Sequence, residues 1–346
     1  MRPIAVLGPL FSRLLLALAL CLPLFGGGAL AQQEKETQAQ RQQAQPYNNA
    51  PVWRDVRSGK EEYTSVKGRE TGVLIQTFGE TWRQLRNGPI TFYGGLLIVV
   101  AVLAIGLFYK WKGAIGLHDK PTGRLIERFS DFERIGHWTM AISFSVLGIT
   151  GLIILFGKHL LLPVIGYTLF AWLTQLSKNL HNFVGPVFML SVVIMIVIWA
   201  RDNLPRAYDF SWFGKLGGMV SGEHVPSGRF NAGEKGYFWI GVVVLGIVMS
   251  ATGLILDFPN FDQARALMIQ ADIVHSIAGV VFISVSFGHI YLGTIGVEGA
   301  YEGMRYGYVD EAWAKEHHEY WFQDVKSGKV KTGSAIGVPV APQAQH

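Results

Sequence analysis

Four histidines stand out by their surroundings. His137, His181, His275 and His289 lie inside long apolar runs or at their ends. A titratable side chain in a membrane helix is costly and marks function by default. Neutral imidazole is a good axial ligand for iron. His275 and His289 are fourteen residues apart. On one helix that spacing separates them by about 21 Å and turns them within roughly 40° of each other. One helix thus offers an imidazole near each face of a hydrocarbon core about 30 Å thick. Each imidazole then needs a partner at its own depth.

The elements that must supply those partners are read from the apolar runs. Five segments come near the ~20 residues that cross a bilayer. They cover about Ile90 to Tyr109, Ile135 to Phe156, Leu180 to Trp199, Tyr237 to Leu256 and Ile273 to Ile295. Leu160 to Leu176 is also apolar but contains Pro163 and Gly166, and reads as an interfacial or re-entrant stretch. Basic residues concentrate after the first crossing (Lys110, Lys112, Lys120, Arg124, Arg128, Arg134), after the third (Arg201, Arg206, Lys215, Arg229, Lys235) and in the tail. The opposite connectors carry only Lys158 and Lys178, or Arg265. The positive-inside rule puts the C-terminus in the cytoplasm and the N-terminus outside.

That topology sorts the histidines. His137 opens the second crossing on the cytoplasmic side, and His181 opens the third on the outer side. The fifth enters from outside, so His275 is external and His289 cytoplasmic. The pairs are His137 with His289, and His181 with His275. Facing side chains in helical bundles commonly build cofactor sites. Two such pairs predict two b-type haems stacked across the membrane. A single intramembrane histidine could equally bond a neighbouring helix or line a proton path. All four falling into pairs favours ligation, and a zinc site would instead cluster its ligands at one depth. Gly136, Gly185, Gly279 and Gly288 lie beside these histidines, where a flat macrocycle needs room or where helices simply pack closely.

Composition narrows the choices. The formal net charge of +5 follows the connectors, so topology explains it better than nucleic acid. The one cysteine, Cys21, lies within a stretch that reads as a secretory signal, with a lipoprotein signal or an uncleaved anchor helix as the alternatives. With that signal removed, no disulfide, Cys-ligated cluster or covalently attached haem is possible. The expected organisation is a signal over 1–31 and a polar, partly disordered periplasmic segment over 32–88, with a helix around Thr77 to Leu85. An extra transmembrane helix over 89–110, a di-haem domain over 111–300 and a cytoplasmic tail over 301–346 follow. His118 and His224 read as solvated, His159 as interfacial, and His317 and His318 as part of a charged partner surface.

Several motifs then combine. Glu133-Arg134-Ile135-Gly136-His137-Trp138, Asn179-Leu180-His181-Asn182-Phe183-Val184-Gly185, Arg229-Phe230-Asn231-Ala232-Gly233-Glu234-Lys235 and Val274-His275-Ser276-Ile277-Ala278-Gly279 occur in order, with Trp313 to His318 and Trp321 beyond. Together they resemble the gamma (cytochrome b) subunit of membrane-bound formate dehydrogenases, over about residues 125–325. The resemblance implies an all-α membrane protein, a four-helix di-haem transmembrane bundle, here with one extra N-terminal transmembrane helix. It implies His137 and His289 as ligands of the cytoplasmic-side haem b, and His181 and His275 as ligands of the periplasmic-side one. It also implies a quinone site at Asn231, Ala232 and Gly233. From the residues alone that loop is a turn before a helix, with Asn231 as an N-cap.

The implied partners are an iron–sulfur beta subunit and a molybdenum- or tungsten-containing alpha subunit, in a bacterial inner membrane, with quinone as electron acceptor. Formate chemistry would belong to the alpha subunit. This chain would be a non-catalytic electron-transfer subunit, with quinone reduced at it. Moving electrons inward against a positive-outside potential costs about 2.3 kcal/mol per charge per 100 mV, which the redox drop must exceed. The rival readings are the cytochrome b subunit of a hydrogenase or other reductase and, in another class, a haem-free membrane anchor or proton-conducting protein.

Overall fold

The computed structural model describes residues 50–60, 77–259, 261, 263–330, 332 and 334–336. The expected signal and the low-complexity run Gln32 to Gln45 lie outside the described residues. Residues 50–60 belong to a separate compact unit holding one short helix, α1 (Ala50–Ser58). The rest of the description concerns the second unit, whose described residues begin at Phe78.

Among the described residues, five helices are long and apolar enough to cross a membrane: residues 78–112, 131–160, 162–199, 232–257 and 265–296. The first begins as α2 (Thr77–Leu85), the helix expected from the sequence. It passes through a π-turn (Arg86–Ile90) that contains Pro89 and continues as α3 (Thr91–Lys112). The second crossing is α4 (Asp131–Leu160). Ser130 and Glu133 open it with a reciprocal capping box that satisfies two otherwise unpaired amides.

The third crossing corrects the sequence reading. Leu160 ends α4, and residues 162–176 are not a re-entrant stretch but the N-terminal part of α5 (Leu162–Trp199). Gly166 breaks the helix with φ 75° and ψ 172°, a conformation that only glycine adopts without strain. Helix resumes at Tyr167, so His181 lies well inside the helix rather than at its start. A short helix, α6 (Ala207–Gly214), follows.

The fourth crossing is α7 (Ala232–Tyr237), an eight-residue π-segment (Phe238–Leu245) and α8 (Gly246–Asp257). The fifth is α9 (Arg265–Tyr291), which carries both His275 and His289 and ends in a π-turn to Gly296.

Small residues set how closely these helices approach. A Cβ on Gly136 of α4 would stand 3.3 Å from the Met195 sulfur of α5, and one on Gly246 of α8 3.2 Å from Val192. Gly94 lets α3 lie against Val280 of α9, again at 3.2 Å. Met140, Phe188, Val192, Met195, Trp199, Phe238, Val242 and Phe282 form the buried core between α4, α5, the fourth crossing and α9. Outward positions such as Leu103, Ile142, Ile149, Leu190, Val197 and Ile247 are apolar and exposed. Side chains of that kind suit contact with lipid, and the chain is a multi-pass membrane protein.

A small sheet, unread in the sequence, adds to the helices. β1 (Arg124–Glu127) pairs antiparallel with β2 (Tyr308–Asp310) on one side and β3 (Ser334–Ile336) on the other. Around it fold α10 (Ala300–Tyr306), α11 (Glu311–His317) and α12 (Glu319–Lys326), with Ile126, Val309, Trp313, Ala314 and Trp321 as core. The polar tail therefore folds back on the connector that precedes α4.

Candidate functional site

The four intramembrane histidines come together in the two expected pairs. The rings of His137 on α4 and His289 on α9 have centroids 6.2 Å apart. Those of His181 on α5 and His275 on α9 are 6.1 Å apart. A first-row metal bound by imidazole on opposite faces, with bonds of about 2 Å, holds two ring centroids about 6 Å apart. Both pairs thus have the separation that one metal ion between them requires. Among the described residues no three His, Cys, Asp or Glu groups cluster for a metal, so each pair stands alone.

Each histidine of the His181–His275 pair has a threonine hydroxyl at its Nδ1. Thr150 Oγ1 on α4 lies 2.8 Å from His181 Nδ1, and Thr252 Oγ1 on α8 lies 2.8 Å from His275 Nδ1. A hydroxyl carries one hydrogen. Thr150 gives its hydrogen to the Val146 carbonyl at 2.8 Å, and Thr252 gives its own to the Val248 carbonyl at 2.6 Å. With its hydrogen on the i−4 carbonyl, each hydroxyl accepts from its histidine, and both imidazoles then carry the proton on Nδ1 and present an unprotonated Nε2. That is the tautomer of a metal-ligating histidine whose second nitrogen is held by an outer partner. At the other pair, His137 Nδ1 is buried with no hydrogen-bond partner among the described residues, and Tyr237 stacks on His289 at 4.3 Å and 1°. The Tyr237 hydroxyl is 2.9 Å from Ser286 Oγ.

A cavity opens beside His181 and His275, and its walls suit a flat apolar ring system. Gly151, which follows Thr150, and Gly253, which follows Thr252, each place a hypothetical Cβ 3.5 Å from the Cε1 of the neighbouring histidine. Gly185 lines the same cavity and has nothing within 4 Å of its Cβ position. Gly288 also faces open space, whereas Gly136 and Gly279 pack against Met195 and Met249. Of the four glycines singled out from the sequence, Gly185 and Gly279 line this cavity. Thr150 and Thr252 were missed, although Thr-Gly-Leu-Ile occurs at 150–153 and again at 252–255.

Between the two pairs lies a plate of phenylalanines. Phe144, Phe188 and Phe282 each follow a histidine of the set by seven residues, two helical turns, and so continue its face. Phe282 is also seven residues before His289, and it is 1% exposed. Its ring is 4.7 Å from Phe144 and 6.2 Å from Phe188.

The Asn231 loop is held from several sides. Asn231 caps α7 by accepting from the Glu234 amide at 3.0 Å, while Glu234 accepts from the Asn231 amide at 2.8 Å. Ala232 is buried, and a Cβ on Gly233 would strike Trp212. Buried Arg128 bonds Glu234 at 2.9 Å and the Arg229 carbonyl at 3.0 Å. Arg229 reaches Glu133 at 2.7 Å and Asp202 at 2.6 Å. Lys235 and Asp209 form a buried ion pair at 2.8 Å. α7 thus ties Asn231, Ala232 and Gly233 to Tyr237 and so to His289.

The tail histidines correct another expectation. His318 is 1% exposed and its Nδ1 donates to the Gly228 carbonyl at 2.7 Å, so it is core rather than partner surface. Burial pushes its pKa down to about 3 and that of His317 down to about 4. The physical reason is packing of Trp313 and Trp321 around them. His118 and His224, by contrast, keep much of their surface in solvent and pair with Glu316 and Glu319.

Comparison with known proteins fits this geometry. A family profile described as prokaryotic cytochrome b561 matches residues 128–305, just over half of the chain. The formate dehydrogenase cytochrome b556(fdo) subunit of Escherichia coli K12 is 34% identical over 205 residues, 58% of this chain and 93% of the relative. The nitrate-inducible formate dehydrogenase cytochrome b556(Fdn) subunit of the same organism is 28% identical over 226 residues, 62% of this chain and 98% of the relative. The formate dehydrogenase cytochrome b556 subunit of Haemophilus influenzae is 26% identical over 210 residues, 57% and 82% of the two chains. The chain belongs to the prokaryotic cytochrome b561 family, with the cytochrome b556 subunits of formate dehydrogenases, a family that implies haem b.

Proposed function

We propose that this chain is the electron-transfer subunit of a respiratory formate dehydrogenase complex, built as a four-helix di-haem bundle with one extra N-terminal helix. Haem b held by His181 and His275, and a second held by His137 and His289, would supply one-electron centres linking a periplasmic iron–sulfur subunit to quinone at the cytoplasmic side. The observation that carries this reading is the pair of ring separations, 6.2 and 6.1 Å, with a threonine hydroxyl 2.8 Å from each Nδ1 of one pair.

The chain's own residues perform distinct tasks. Thr150 and Thr252 orient the imidazoles of their pair. Phe144, Phe188 and Phe282 keep water out between the two pairs. The Arg128–Glu234 and Arg229–Glu133 pairs hold the Asn231–Gly233 loop, the proposed quinone site, beside Tyr237 and His289. The partners are an iron–sulfur subunit and a molybdenum- or tungsten-containing subunit that oxidises formate. The membrane is the bacterial inner membrane, with the mature N-terminus periplasmic and the C-terminus cytoplasmic. The names of the relatives favour formate over hydrogen as the electron source.

The test uses the assembled complex. With His275→Ala, formate oxidation by a soluble dye should persist while formate-driven quinone reduction is lost. Quinone reduction at the wild-type rate would overturn the reading.

A further inference from the structure

The first helix enters the cavity beside His181 and His275. Trp82 and Arg86, four residues apart on one helical face, both line it. Arg86 opens the π-turn that joins α2 to α3, and π-turns recur at functional sites. The Thr91 hydroxyl donates to the Arg86 carbonyl across that turn. The Arg86 guanidinium donates to the Ile154 carbonyl of α4 at 2.7 Å, which uses one of its five N–H groups. Lys178 of α5 lines the cavity too, and its ammonium donates to Asn182 Oδ1 at 2.7 Å. Asp257 and Asp272 stand in the same lining. Among the described residues, neither cation forms an ion pair with them or with any other carboxylate. The cavity therefore runs from an apolar floor at Phe144, Phe188 and Phe282 to a charged end with unspent donors.

We propose that Arg86, with Lys178, binds the carboxylate groups of the macrocycle seated between His181 and His275, so that the N-terminal helix forms part of that cofactor site. This rests on the haem reading above. A haem is apolar except for its two propionates, and guanidinium matches a carboxylate with two parallel donors. The family profile matches only from Arg128 onward, so this contribution lies outside the part of the chain the family describes. The extra helix then does more than anchor the chain. Its π-turn sets Arg86 facing inward, and the Ile154 carbonyl fixes the guanidinium plane.

The test is made on purified full-length chain loaded with haem, read by spectrum and redox titration. Arg86→Gln should weaken retention of one haem on the order of tenfold, the worth of a lost hydrogen bond to a charged group. It should also lower that haem's midpoint potential, because a positive charge beside it is gone. Arg86→Lys should recover the potential, and Asp272→Asn should move it the opposite way. The second haem, at His137 and His289, should be unaffected and reports that the variant is folded. Unchanged retention and potential in Arg86→Gln, or a change at the second haem instead, would overturn the proposal. His275→Ala is the separate control: if it removes no haem, the haem reading itself has failed.

Discussion

Replacing Thr252 by valine tests the outer partner of His275 with little change of shape. The hydroxyl lies 2.8 Å from His275 Nδ1 and, with its one hydrogen on the Val248 carbonyl, accepts from the Nδ1–H of an iron-bound ring. Valine cannot accept, so the imidazole must leave a buried N–H unpaired whenever its Nε2 is bound to iron. Without cofactor the ring is free to turn or change tautomer and escapes that cost. The penalty therefore falls on the bound state. A buried donor left unpaired costs about 1–3 kcal/mol, and each 1.4 kcal/mol is tenfold. Retention of one haem should fall by roughly fivefold to a hundredfold, within the range seen for outer partners of metal-bound histidine. The assay is haem per chain after serial dilution in detergent, by the pyridine haemochrome. Thr252→Ser should behave as the parent, and Thr150→Val should mirror Thr252→Val. Undiminished retention in Thr252→Val, or equal loss at both sites, would refute the tautomer argument.

Three further outcomes follow from the structure. Gly185→Leu should block the cavity beside His181, where among the described residues nothing beyond its own stretch of helix lies within 4 Å of the Cβ position, and cut the haem content by one per chain while helicity by circular dichroism is unchanged. Buried His318 has its pKa lowered to about 3, so the unfolded state binds a proton that the folded one does not between pH 6.5 and 3. Stability of the β1–β2–α11–α12 region should thus rise with pH across that window and fall on acidification. Hydrogen exchange around Trp313 and Trp321 measures it, and His318→Asn should flatten the dependence. Asp209→Ala leaves Lys235 buried and unpaired and should destabilise the α6–α7 junction by about 3–5 kcal/mol, read as proteolysis near Trp212, whereas an exposed pair such as Lys315–Asp119 should matter little.

The crossings and the histidine pairs were legible because both depend on strong local signals: apolar runs of membrane length, and charge in the connectors. Leu160 to Leu176 misled because Pro163 and Gly166 read as a break in the helix. Gly166 does break it, but the helix resumes one residue later and the crossing extends further than the apolar count suggested. Thr150 and Thr252 were invisible because a membrane threonine commonly bonds only its own helix, and here it does that and more. Arg86 was hidden for another reason: nothing near it in sequence shows that the turn at Pro89 aims it toward α4. The sheet escaped because β1 and β2 have four and three residues and pair across more than 180 positions. His318 looked like surface beside Lys315 and Glu316, yet two tryptophans from a short helical pair enclose it.

The central claim is that two histidine pairs each hold one haem. Pyridine haemochrome of the purified full-length chain should give two b haems per chain. His275→Ala and His289→Ala should each leave one, and the two remaining haems should differ in midpoint potential. A single haem in the parent chain, or loss of both haems from a folded His275→Ala variant, would contradict the account.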